Sequence, residues 1–87
     1  MMIGSEALDT YTAVKNRLLY LLEEKRLSIH KLATESGVPP STVKNILYGK
    51  SLNPGIVTIK MLCDGMGITL VDFFNTAEFQ SLEQELK

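Results

Sequence analysis

The chain holds one cysteine and one histidine, and that scarcity removes whole classes of function. A lone thiol, Cys63, rules out an internal disulfide framework and fits a reducing compartment. One histidine and one cysteine, with no recognisable acid/base cluster, offer nothing from which to assemble a nucleophilic or proton-transferring site. The same shortage leaves no set of metal ligands. No enzymatic activity, no cofactor and no metal are therefore expected. There is also no basic start leading into a long apolar stretch, and no uncharged run of membrane-spanning length. The expectation is a cytoplasmic protein with no membrane partner.

Acidic residues are missing altogether from Ser36 to Cys63, although the whole chain has a formal net charge of −1. Residues 25–63 carry Lys25, Arg26, Lys31, Lys44, Lys50 and Lys60 against Glu35 alone, a net of +5. Residues 1–24 carry a net of −2 and residues 64–87 a net of −4. A basic middle between acidic ends can present one surface to a polyanion while the molecule as a whole stays near neutral. With 87 residues, 45% hydrophobic and 22% charged, the composition is that of one folded domain, not of a disordered chain.

Helical periodicity dominates what is present, with no strand pattern, repeat or low-complexity segment. Residues 1–8 carry no strong structural signal and read as a loose arm. From Asp9 to Arg26 the residues Val14, Leu18, Leu21 and Leu22 recur at three- and four-residue steps, which marks an amphipathic helix. Ser28 suits an N-cap, because its hydroxyl can accept from a free N–H at the start of the next helix. That helix runs Ile29–Ser36 and stops at Gly37, where the chain needs a left-handed conformation. Pro40 favours the first position of a new helix, where the missing N–H costs nothing. The new helix runs Pro40–Tyr48, with Val43, Ile46 and Leu47 inward and Ser41, Thr42, Lys44 and Asn45 outward. Gly49 closes it, and Ser51 to Gly55 is a loop rich in turn residues. A fourth helix over Ile56–Gly65 and a short one over Leu70–Phe74 follow. In the tail, Thr76–Lys87, Phe79, Leu82 and Leu86 fall three and four apart, a weak amphipathic helix.

Two short helices joined by a tight turn at a glycine form a helix-turn-helix. Ala33 lies where the helices come closest and Gly37 makes the turn. Leu32, Val38, Val43 and Ile46 form a small shared core that fixes the angle between the helices. The second helix is left protruding, with its N-terminal residues free to enter the major groove of DNA.

The stretch Leu27 to Val38, then Ser41-Thr42-Val43-Lys44-Asn45-Ile46, Gly49-Lys50 and Asn53-Pro54, resembles the phage-repressor-like (Cro/repressor, XRE-type) helix-turn-helix family. So do Ile59 to Leu70 and the closing Phe73-Phe74. The resemblance covers roughly Val14 to Phe74. It implies an all-α, five-helix lambda-repressor-like domain, here over residues 9–75, followed by a short amphipathic tail helix over 76–87. It further implies a sequence-specific transcriptional regulator, most often a repressor, that binds double-stranded DNA as a homodimer.

Carried over position by position, the resemblance gives Ser41, Thr42, Lys44 and Asn45 as base contacts. Asn45 has the donor and acceptor for a bidentate pair with adenine, and Lys44 can donate to guanine or to a phosphate. Lys50, Ser51 and Asn53, together with the helix start at Ser28, fall where the family grips phosphate. Three departures stand out. Ile29 and Pro40 occupy positions where relatives often carry a glutamine that contacts DNA. Leu22 and Leu47 take the places of a buried arginine–glutamate pair, and are expected to pack on each other. Exchanging both partners of such a pair for apolar residues is often neutral or stabilising by roughly 1–4 kcal/mol, whereas losing one costs about 3–5.

The remaining residues have plainer readings. His30 is expected on the surface, Cys63 as a buried structural thiol, and Met61 and Met66 as gap fillers. Gly65-Met66-Gly67 lacks the third glycine and the preceding strand of a dinucleotide-binding fingerprint. Phe79, Leu82 and Leu86 suit either a stripe folded back on the monomer or a dimer interface, with the dimer as the expectation. The alternative function is an interaction module, such as an antitoxin or adaptor, that uses its surface or its acidic tail to hold a protein partner.

Overall fold

The computed structural model describes residues 9–86. The arm expected at residues 1–8 lies outside the described residues. Among those described there are six helices and no strand.

Helix α1 spans Thr10–Lys25. Asp9 caps it by accepting from the Thr12 N–H at 2.7 Å, and the Thr12 side chain, with that backbone bond, holds the Asp9 carboxyl below its ordinary value. Its C-cap is Arg26, the one non-glycine with positive φ among the described residues, at 55°. The left-handed turn there lets the Leu27 N–H reach back to the Leu22 carbonyl at 2.9 Å.

Helix α2 spans Ile29–Ser36, with the Ser28 hydroxyl accepting from the Lys31 N–H and Gly37 closing it at φ 69°. Helix α3 covers Pro40–Leu47, with Pro40 in the first turn and Tyr48 as C-cap, one residue earlier than expected. Helix α4 spans Ile56–Met66 and ends at Gly67 in the left-handed region, one residue beyond the expected stop. Helix α5, Leu70–Phe74, opens on a capping box in which Thr69 and Asp72 bond each other's backbone N–H groups.

The inward faces meet in one cluster that includes Leu18, Leu32, Val43, Ile46, Leu62, Cys63 and Phe73. Leu22 and Leu47 are both buried in the same cluster, the shared environment in which two apolar residues can stand for an ion pair. Cys63 is fully buried, and burial pushes its thiol above the usual value.

The tail departs from expectation. Instead of a helix along Thr76–Lys87, only α6, Ala77–Gln80, forms. The Ser81 hydroxyl donates to the Ala77 carbonyl at 3.0 Å and stops it. The chain then returns to α1, where a Glu85 carboxylate oxygen accepts from the Thr10 N–H and hydroxyl at 3.3 and 2.9 Å. Phe79, Leu82 and Leu86 consequently do not share one helical face. Phe79 packs on the monomer's own Phe73 and Phe74 with ring centroids 6.1 and 4.9 Å apart, whereas Leu86 is 86% exposed. Clustering with two aromatic rings outweighs extending a short helix that is marginal by itself.

Arg17 ties α1 to α5. Its guanidinium donates to the Phe73 carbonyl at 2.8 Å and the Asp72 carbonyl at 2.7 Å, so a cation sits at the negative end of the helix. Hydrogen bonds to a charged donor contribute about 1.5–3 kcal/mol. Arg17→Met keeps most of the stem and removes both bonds; the exposed Asp72 carbonyl can turn to water instead, so the expected cost is near that of one bond, about 2 kcal/mol. Thermal denaturation should show a midpoint roughly 8–16 °C lower, and an unchanged midpoint would refute this role.

Candidate DNA-binding surface

The position of α3 is fixed from behind. Val43 and Ile46 are essentially inaccessible, at 0% and 1% exposure, and the Tyr11 hydroxyl of α1 donates to the Ile46 carbonyl at 2.5 Å. That bond satisfies one of the carbonyls a helix leaves free at its C-terminal end. After Tyr48, the chain turns through Gly49 at φ 85°. The Lys50 and Ser51 N–H groups then both donate to the Asn45 carbonyl at 2.9 Å. The helix and the loop that follows it are thus held as one piece.

On the opposite side, Ser41, Lys44 and Asn45 are exposed and Thr42 is half-buried. None of these four side chains makes a hydrogen bond within the described residues, so all keep their donors and acceptors for another molecule. Thr42, Asn45, Ser51 and Asn53 line a shallow cleft between α3 and the start of α4, which brings two expected base contacts beside two expected phosphate contacts. Lys50 is exposed in the adjoining turn. Ser28 stands apart, at the start of α2. Its oxygen is occupied by the Lys31 N–H at 3.0 Å, but its own proton remains free to donate.

The charges sort in the same way. Lys31 pairs with Glu35 at 3.4 Å, and Lys60 pairs with Asp64. Lys44 and Lys50 have no acidic partner among the described residues. Lys15, Lys25 and Arg26 are likewise without an acidic partner among the described residues, but Lys44 and Lys50 are the two that belong to α3 and the turn after it, where an outside anion would meet them.

Two features escaped the sequence reading. Gly55 caps α4 without a side chain, and the first N–H groups of α4 have no partner within the described residues, so donors line the same cleft. Pro54-Gly55 signals a turn in sequence, but not which way the following helix points. Tyr48, read only as the end of a helix, is 69% exposed beside Lys44 and Asn45.

Residues 17–78 match the model of the Cro/C1-type helix-turn-helix DNA-binding domain. The chain belongs to this family. The crystal structure of the prophage Lp1 protein 11 is similar to it, with a TM-score of 0.74 and 32% sequence identity. The match covers 86% of this chain and 100% of that one. No curated protein matches significantly. As a Cro/C1-type domain the chain is a DNA-binding module, and its paired helices α2 and α3 are the family's helix-turn-helix. No helix among the described residues is long and apolar enough to cross a membrane.

Proposed function

We propose that this chain is a sequence-specific transcriptional regulator, acting as a repressor in the cytoplasm, that inserts α3 into the major groove. The observation that carries the reading is the division of labour on α3. Its inner side chains are buried, while the side chains of Ser41, Thr42, Lys44 and Asn45 have no hydrogen bond among the described residues. Asn45 and Lys44 read base edges and Ser41 and Thr42 make shorter bonds to bases or backbone. Ser28, Lys50, Ser51 and Asn53 hold phosphates on either side and set the register.

One such domain covers a single half-site, so we further propose that two copies bind a palindromic operator about its two-fold axis. Phe79 is committed to the monomer core, which leaves Leu82 and Leu86 as the tail's contribution to any pairing.

Binding to DNA from upstream of the protein's own gene, followed across a salt series, tests the proposal. Affinity for one segment should exceed that for random DNA. It should fall by roughly tenfold or more between 50 and 200 mM salt, because each neutralised phosphate releases counterions. Equal, weak binding to every sequence at low salt would transfer the reading to a protein-interaction module.

A further inference from the structure

The three tyrosines of the chain have different fates. The Tyr11 hydroxyl donates to the Ile46 carbonyl, and the Tyr20 hydroxyl donates to the Glu24 carboxylate at 3.0 Å. The Tyr48 hydroxyl has no hydrogen-bond partner among the described residues, and its side chain is the most exposed of the three, the residue being 69% accessible. Its backbone is nevertheless held, since its N–H donates to the Lys44 carbonyl at 2.8 Å. A large ring on an anchored backbone, with a free hydroxyl, is ready to be covered by another molecule.

The position of Tyr48 decides which molecule, and which part of it. One helical turn is about 3.6 residues and 5.4 Å, so Ser41, Lys44 and Tyr48 follow one another along a single face. The N-terminal residues of the helix are those that enter the groove. Tyr48 lies at the other end, immediately before Gly49, Lys50 and Ser51, where the chain leaves the base edges for the strand backbone. No acidic residue lies between Ser36 and Cys63 to repel a phosphate there.

We infer that Tyr48 is a DNA-backbone contact, its hydroxyl donating to a phosphate oxygen and its ring packing on the adjoining deoxyribose. The inference rests on the reading of α3 as the groove-inserting helix. Its role is positional: it fixes how far the helix slides along the groove, and it adds no preference among bases. A neutral donor displaces no counterion, in contrast to Lys50.

That contrast supplies the test. Full-length wild type, Tyr48→Phe, Tyr48→Ala and Lys50→Ala are titrated against the preferred segment and random duplex over a salt series. Tyr48→Phe should weaken binding to both by about three- to tenfold, the scale of one neutral hydrogen bond, with the salt slope unchanged. Tyr48→Ala should lose more, also at constant slope, whereas Lys50→Ala should lower the slope by about one. Wild-type affinity in Tyr48→Phe would overturn the phosphate contact. A loss confined to the preferred segment would overturn it in favour of a base contact. Absence of salt-dependent binding by the wild type would instead remove the DNA reading itself, and this inference with it.

Discussion

Gly65→Ala should destabilise the domain by about 3 kcal/mol, at the upper end of what overpacking a core costs. In a helix interior the same exchange ordinarily stabilises by about 0.5–1 kcal/mol through the chain entropy of glycine, so the sign itself is diagnostic. A Cβ at Gly65 would overlap the Ser36 hydroxyl and come within 3.0 Å of the Ser36 Cα. Backbone cannot swing aside as a side-chain tip can, so α2 and α4 would have to separate. Thermal denaturation should show a midpoint roughly 12–24 °C lower for a change of this size. Ser36→Ala is the complementary measurement. The Ser36 hydroxyl is buried without a hydrogen-bond partner among the described residues, and removing such a group is neutral or stabilising. A Gly65→Ala variant as stable as the parent would show that the two helices are not in close contact.

Lys44→Ala combined with Asn45→Ala should abolish the preference for the operator while leaving the fold intact. A bidentate side-chain–base pair is worth about 1–3 kcal/mol of discrimination, which corresponds to roughly five- to 150-fold in affinity ratio. Lys44 and Asn45 are exposed and their side chains bond nothing among the described residues, so stability should change by no more than about 0.5 kcal/mol. Competition between operator and scrambled duplex measures the first quantity, and thermal denaturation the second. Retained preference in a folded double variant would place the base contacts elsewhere. Lost preference together with a collapsed midpoint would mean that the two residues support the fold after all.

The parts of this fold that could be read from the sequence are those set by neighbours along the chain. Ser28, Gly37 and Pro40 each impose a local conformation, and the bounds of α2 follow from them. The outward residues of α3 were legible for the same reason, since helical periodicity separates Val43 and Ile46 from Lys44 and Asn45. What could not be read depends on segments distant in sequence. Nothing local marks Arg26 for a left-handed cap. The span from Arg17 to the end of α5 crosses 56 positions, and no pattern announces it. In sequence Gly65 reads as the end of the fourth helix and as part of no nucleotide-binding motif; its packing role appears only when α2 lies against it. The tail misled because spacing of three and four residues suits a helix, and Phe79 instead found Phe73 and Phe74.

The tie between the Asn45 carbonyl and the Lys50 and Ser51 N–H groups is made by backbone alone, as are the turn at Gly49 and the acceptor that Tyr11 uses on α3. The side chains at 41, 42, 44 and 45 take no part in any of these bonds. The exposed three, at 41, 44 and 45, can therefore be exchanged as type is exchanged in a fixed frame, and half-buried Thr42 for residues of similar size, without loosening the platform beneath them. If α3 reads DNA as proposed, a lineage of such proteins can adopt new target sequences by few replacements at nearly constant stability, and grafting the matching residues of another Cro/C1-type domain onto this scaffold should transfer that domain's sequence preference.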